Sequence, residues 1–336
     1  MDSLTHTVLG ACLGEVIAGR KIGKKAMLWG AIANNIPDID VITGIWMNQA
    51  GSLLAHRGFT HSILFMLLAS PLLAWLFRNK YASAGMNYKI WLWIWGSGIF
   101  IHLFIDALTA YGTGWFEPFD HYRVSFNVLF VADPFYTVAL LVSCLALLIL
   151  KRTNPHRVKW ANAAMIISTL YIGYAIVNKL RIDEITRDNL TRQSIKTDNY
   201  FSTPTPLNNF LWYIVARTDS GYMIAYHSVF DESQEMPFTY FPRHDSLLIA
   251  YKNNDEVQKL IRFSAGYYCV SQKSDTVIFS DLRFGQVGGW SIPNAPFVFK
   301  YYLNENADND LVIQQGRIDA SKREGIRTLV ERIKGL

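Results

Sequence analysis

Seven residues of the types that ligate divalent metals, His6, Asp38, Asp40, His56, His61, His102 and Asp106, fall within the first third of a 336-residue chain. On a helix His102 and Asp106 stand four residues apart and share a face. That spacing suits two ligands of one ion, or one ligand and the carboxylate that orients it. Pro37-Asp38-Ile39-Asp40 sets two carboxylates two residues apart behind a helix breaker, where both can converge on a cation. An Asp-rich turn with a helix cap is the structural alternative. His56-Arg57-Gly58-Phe59-Thr60-His61-Ser62 packs two histidines, an arginine and a permissive glycine into seven residues, with Thr60 available to cap the helix that follows. The chemistry such a set would perform is hydrolysis by one or two zinc ions, the metal acting as Lewis acid on the substrate and activating water. Mn or Mg becomes an option where carboxylates dominate. The expected ligands are His6, Asp38, His61, His102 and Asp106, with Asp40 and His56 as further ligands or as acid/base and orienting groups.

Two arginines accompany this set. Arg57 and Arg123 are the basic residues of the loops expected on the ligand side, and guanidinium groups beside metals hold phosphate or carboxylate. They are therefore candidate substrate anchors. The segment from Tyr111 to Arg123 that carries one of them is rich in glycine and aromatics, as an interfacial loop would also be. Asp133-Pro134 reads as a helix start.

The elements that must position these groups are apolar. Six stretches, 4–19, 26–45, 59–77, 90–111, 128–150 and 160–180, approach the roughly 20 residues needed to cross a bilayer. The first is interrupted by Glu15, and the second by Asn34, Asn35, Pro37, Asp38 and Asp40, so either could be short, tilted or re-entrant. Residues 1–180 hold 14 Lys/Arg against 8 Asp/Glu, and the excess falls on alternate loops: Arg20, Lys21, Lys24 and Lys25, then Arg78, Lys80 and Lys89, then Lys151, Arg152, Arg157 and Lys159. By the positive-inside rule those loops are cytoplasmic, which puts both termini and all seven ligand candidates on the extracytoplasmic side. The charge thus marks topology and not a nucleic-acid surface. The first apolar stretch has no basic region before it and is expected to be retained. Cys12, Cys144 and Cys269 form neither a CxxC pair nor a disulfide framework.

Residues 181–336 read as a soluble α+β domain. Strands are expected at Phe210–Ala216, Tyr222–Val229, Leu247–Tyr251, Thr276–Ser280 and Phe297–Leu303, and helices at Asp255–Phe263 and Ala320–Ile333, the last basic and amphipathic. His227 and His244 lack ligand-like neighbours at useful spacing, and Asp281-Leu282-Arg283-Phe284-Gly285 suggests a turn held by an Asp–Arg ion pair.

The strings PDID, HRGFTHS, HLFIDALTAYGT, EPF and ADPFYT, together with His6, resemble the YdjM-type membrane-bound metal-dependent hydrolases of bacteria and archaea, over about residues 1–150. The order His, Asp, His, HxxxD is more distantly similar to zinc-dependent phospholipases C and single-strand nucleases. Those continue with a further His and an HxxxE helix, which this chain lacks after Asp106. The combined expectation is an α-helical polytopic membrane domain of about six helices, residues 1–180, followed by an extracytoplasmic α+β domain, residues 181–336, in a prokaryotic inner membrane. Its site, at the outer face, would hydrolyse a lipid or amphiphilic phosphoester, Asp40, His56, Arg57 and Arg123 serving catalysis and substrate binding. A lipid amide or ester hydrolase, a metal-ion transporter and a metal-stapled scaffold are the rivals. Oligomeric state leaves no mark on the sequence.

Overall fold

The computed structural model describes residues 1–305, 311–315 and 323–335. Contacts divide the chain into two units: Met1–Thr43, Ala55–Ile176 and Pro206–Asn208 form one, and Gly44–Leu54, Val177–Thr205 and Asn209–Leu336 the other.

The first unit is helical, and polar caps decide where its helices begin. Asp2 accepts from the Thr5 amide at 3.0 Å and starts α1 (Ser3–Ile22). Gly23, at φ 60°, is the sole residue between α1 and α2 (Lys24–Asn35), a left-handed hinge that a β-carbon would strain. The two helices then pack through small residues: a β-carbon on Gly10 or Gly14 would fall on the backbone of Gly30 or Ala26. Pro37–Ile45 continues as a 3-10 helix. The short α3 (Gln49–Ala55) comes next in the chain and, but for its last residue, belongs to the second unit; a 3-10 turn Phe59–His61, α4 (Ile63–Phe77) and α5 (Tyr88–Ala107) follow in the first. Ser62 caps α4, Asn87 caps α5, and Asp133 caps α6 (Pro134–Ile149) with Pro134 at its first position. The helix α7 (Arg157–Arg192) runs 36 residues, about 54 Å at 1.5 Å per residue.

Helices thus stand at all six expected positions, but fewer qualify as spans. Tyr88–Ala107 and Arg157–Arg192 are long and apolar enough to cross a membrane, and a third crossing results if Gln49–His61 and Ile63–Phe77, bent by 58°, count as one. Pro134–Ile149 is apolar but short. The expected span 26–45 breaks where Pro37 ends α2, and residues 128–133 lie outside α6 because the Val128 and Leu129 amides bond to the Leu108 carbonyl instead.

The second unit carries two antiparallel four-stranded sheets, each in sequential order. One is β1 (Asn199–Pro204), β2 (Leu211–Arg217), β3 (Gly221–Ser228) and β4 (Thr239–Pro242). The other is β5 (Tyr268–Lys273), β6 (Thr276–Gln286), β7 (Phe297–Glu305) and β8 (Leu311–Gln315), with α8 (Asp255–Phe263) before it and α9 (Arg323–Ile333) after it. Tyr213, Tyr222, Phe279 and Tyr301 centre the core. Leu247–Tyr251 is not a strand: it lies in a 3-10 helix, Asp245–Tyr251, in which Leu248 is buried while Ile249 is exposed. The four strands not anticipated, β1, β4, β5 and β8, are short or polar. Of the expected last helix, residues 320–322 lie outside the described residues. Asp281 and Arg283 do pair, as a buried two-point ion pair within β6 and not in a turn. His244 bonds the Val270 carbonyl, and His227 lies 3.2 Å from Asp231. Burial pushes the Cys269 thiol up to about 12, so it is unreactive as a nucleophile.

Candidate metal centre

Four segments of the helical unit bring their ends together. The first turn of α1 supplies His6, the 3-10 helix after α2 supplies Asp38 and Asp40, the turn before α4 supplies His61, and the last turns of α5 supply His102 and Asp106. His6, His61, His102 and Asp106 are fully buried, whereas the Asp38 side chain is 25% exposed, so the cluster opens on the Asp38 side.

Asp38, His61, His102 and Asp106 each direct one ligand atom into a common space. His61 Nε2 and His102 Nε2 are 3.0 Å apart, Asp38 Oδ1 lies 3.5 and 3.6 Å from them, and Asp106 Oδ2 lies 3.6 Å from each. A tetrahedron of ligands with bonds of about 2.0–2.2 Å has edges of roughly 3.3–3.6 Å. The cage is therefore the size that a zinc-like ion needs.

The neighbours fix which nitrogen faces inward. His102 Nδ1 is 2.5 Å from the Asn34 carbonyl, to which it can only donate. His61 Nδ1 lies 3.2 Å from Asp40 Oδ2 and 3.1 Å from the Thr60 hydroxyl. With the protons on Nδ1, both Nε2 atoms present lone pairs to one another at 3.0 Å, an arrangement that a cation between them relieves. Asp106 Oδ2 has no hydrogen-bond donor aligned on it, although it is buried. The donor set and its unsatisfied atoms fit a bound divalent ion.

Asp40 is an organiser. Its Oδ1 meets His56 Nδ1 at 2.8 Å, and its Oδ2 accepts from the Arg57 amide at 2.8 Å and the Thr60 hydroxyl at 2.9 Å. Thr60 thus serves the site, and the capping expected of it falls to Ser62. Asp38, Asp40 and His56 make a second group of metal-binding types beside the first. His6 lies outside the four-residue cage: its Nε2 is 3.0 Å from Asp106 Oδ1 and its ring stacks on His102 at 3.9 Å. The Met1 amino group also contacts Asp106 Oδ1.

Arg57, expected to reach outward to substrate, points inward. Its Nε is 3.0 Å from Asp106 Oδ2 in an ion pair, one terminal nitrogen donates to Thr109 at 3.0 Å and the other to the Met1 carbonyl at 3.4 Å, and the guanidinium lies 4.6 Å from the Tyr111 ring centre. Arg123 is half-buried and donates to the His56 carbonyl at 2.9 Å. Asn34, Thr109 and Tyr111 had no assigned role in the site. Asn34 acts through its backbone carbonyl, which no side-chain motif reports, and its amide donates to the His6 carbonyl at 3.0 Å.

Basic residues gather at the other end of the same helices: Arg152 donates to the Arg20 and Lys21 carbonyls, and Lys21 to the Gly85 carbonyl.

Comparison with known proteins relates the chain to two bacterial proteins. Over 316 residues the chain is 26% identical to the uncharacterized protein YfhP of Bacillus subtilis (strain 168), spanning 89% of this chain and 90% of the relative. It is 30% identical over 122 residues to the inner membrane protein YbcI of Escherichia coli (strain K12), which is 36% of this chain and 69% of that protein. No solved structure matches. The apolar helices and the name of the second relative agree on a bacterial membrane location. The model of the family described as YdjM inner membrane protein matches residues 1–182, more than half of the sequence, and the chain belongs to that family.

Proposed function

We propose that the chain is an integral-membrane, metal-dependent hydrolase acting on a lipid or amphiphilic phosphoester. The observation that carries this reading is the pair of buried imidazole Nε2 atoms 3.0 Å apart, each with its Nδ1 against oxygen, flanked by Asp38 and Asp106. Asp38, His61, His102 and Asp106 would hold the ion, zinc by donor type and Mn or Mg as alternatives. Bound there, the ion supplies Lewis acidity toward an ester and lowers the cost of deprotonating water.

The chain's own residues do the rest. His56 stands at the exposed edge, its side chain 33% exposed and its Nδ1 fixed by Asp40, so its Nε2 is placed to accept and return a proton. Arg57 holds Asp106 in place through its ion pair. Arg123, on the rim behind His56, is the remaining guanidinium suited to a phosphate. His6, through Asp106 Oδ1, either orients that carboxylate or joins the ligand set. The basic cluster at the far end of the helices supports an extracytoplasmic site with both termini outside. A transport path would need ionisable groups leading away from the site, but Glu15 is clamped by Arg157 at 2.8 and 2.6 Å.

Elemental analysis of the full-length protein in detergent tests this, with folding followed by circular dichroism. Wild type is expected to carry stoichiometric metal, and folded His61→Ala and Asp106→Ala to lose it along with release of product from lipid phosphoesters. A folded wild type that stays metal-free after reconstitution overturns the reading.

A further inference from the structure

On the surface of the helical unit lies a groove of about 550 Å³ lined by Ile63, Leu64, Leu67, Trp115, Phe116 and Phe119, together with Glu117 and Asp120. Its two walls are anchored next to the cage histidines. Ile63 follows His61 by two residues, and its amide donates to the Trp115 carbonyl at 3.0 Å. The Trp115 indole donates to the carbonyl of Leu103, the residue after His102, at 3.3 Å. The adjacent Gly114 amide bonds the Arg57 carbonyl at 2.9 Å, and its position leaves no space for a β-carbon beside Glu117. The groove's walls are therefore hydrogen-bonded to each other and to residues that flank the cage histidines in sequence, and α4 supplies Ile63, Leu64 and Leu67.

We propose that this groove is the acyl-chain subsite of the same centre, so that the substrate is a lipid that enters sideways from the bilayer with its scissile ester at the cage; this rests on the hydrolase reading above. Three observations commit the groove to a hydrocarbon chain. Its lining is apolar from α4 and aromatic from residues 115–119, with two carboxylates beside them, which suits the hydrocarbon part of an amphiphile. Leu67 is 60% and Phe119 83% exposed, so part of the groove's lining is apolar surface that a bilayer would cover. Of the four cage residues Asp38 is the partly exposed one, and its segment continues into the exposed apolar residues Ile39, Val41 and Ile42, so a headgroup approaching there meets an apolar surface. Lipid tails are as apolar as leucine, so the groove selects a chain by concave packing and not by removing it from water.

The test uses the full chain in lipid nanodiscs doped with phosphatidylethanolamine that carries a photoactivatable diazirine at the end of one acyl chain, with labelled peptides mapped by mass spectrometry. Labelling is expected to concentrate on 59–67 and 115–120, to fall severalfold in Leu67→Trp, which fills the groove, and to persist in Asp106→Ala. Labelling spread evenly over the lipid-facing residues of α5, α6 and α7, or unchanged by Leu67→Trp, overturns the subsite. Metal content measured on the same samples keeps the two readings apart: a wild type that labels in the groove yet binds no metal refutes the hydrolase, and with it the groove's role as a substrate subsite, while a metal-loaded protein without groove labelling refutes the subsite alone.

Discussion

Asp40 shows how one carboxylate can set a site without touching its centre. It receives the Arg57 amide and the Thr60 hydroxyl and lies against one nitrogen of His61 and one of His56, which fixes both tautomers. Partners of this kind typically change metal affinity by 10–100-fold, and Asp40→Asn is expected to weaken binding by about that factor with the fold intact, read by competition with a chelator. Arg57 adopts φ 60°, a conformation in which a β-carbon costs about 1 kcal/mol or more, because its amide must meet Asp40 while its guanidinium reaches Asp106. Arg57→Gly and Arg57→Ala both remove the guanidinium, but the glycine variant should be the more stable by about 1 kcal/mol, seen as the higher melting temperature in detergent. Equal stability of the two would remove backbone strain from the account.

At the scale of elements, the α1–α2 hairpin carries His6 and the Asn34 carbonyl to the cage, and it does so by backbone contact at Gly10, Gly14 and Gly30. Gly30→Leu should force the helices apart and cost about 1–3 kcal/mol or more, with metal lost in parallel, measured by thermal unfolding and elemental analysis. The base of the same hairpin is held by Glu15 and Arg157, both at most 2% exposed, the guanidinium donating also to the Leu147 and Leu150 carbonyls. Removing one partner strands a buried charge, so Arg157→Met should destabilise by about 3–5 kcal/mol, and adding Glu15→Gln should restore part of the loss. A double variant no more stable than the single would show that the packing of the arginine stem, and not its charge, matters.

For the whole molecule the charge distribution sets the expected direction in the membrane. In a chain whose own cysteines are replaced by alanine, Asp120→Cys should react with a membrane-impermeant maleimide on intact cells, and Lys24→Cys only after permeabilisation. The reverse pattern would turn the site to the cytoplasm.

The types of the site residues were legible in the sequence because ionisable groups in apolar surroundings stand out, and His102 with Asp106 needed only helical periodicity to share a face. The cap residue Asp133 before Pro134 likewise marked a helix start locally. What the sequence determined by itself was therefore the inventory of donors, the helical character of the first half and the mixed character of the second. Only the tertiary structure decided their roles. It put His6 behind Asp106, turned Arg57 inward, made Asp40 an organiser and recruited the Asn34 carbonyl, because these depend on distances between segments up to 100 residues apart and on backbone atoms that carry no residue signature. It also reduced six apolar stretches to two or three qualifying spans, since where Pro37 and Ser62 break a helix is set by which backbone groups find partners nearby, and hydrophobicity alone does not encode that.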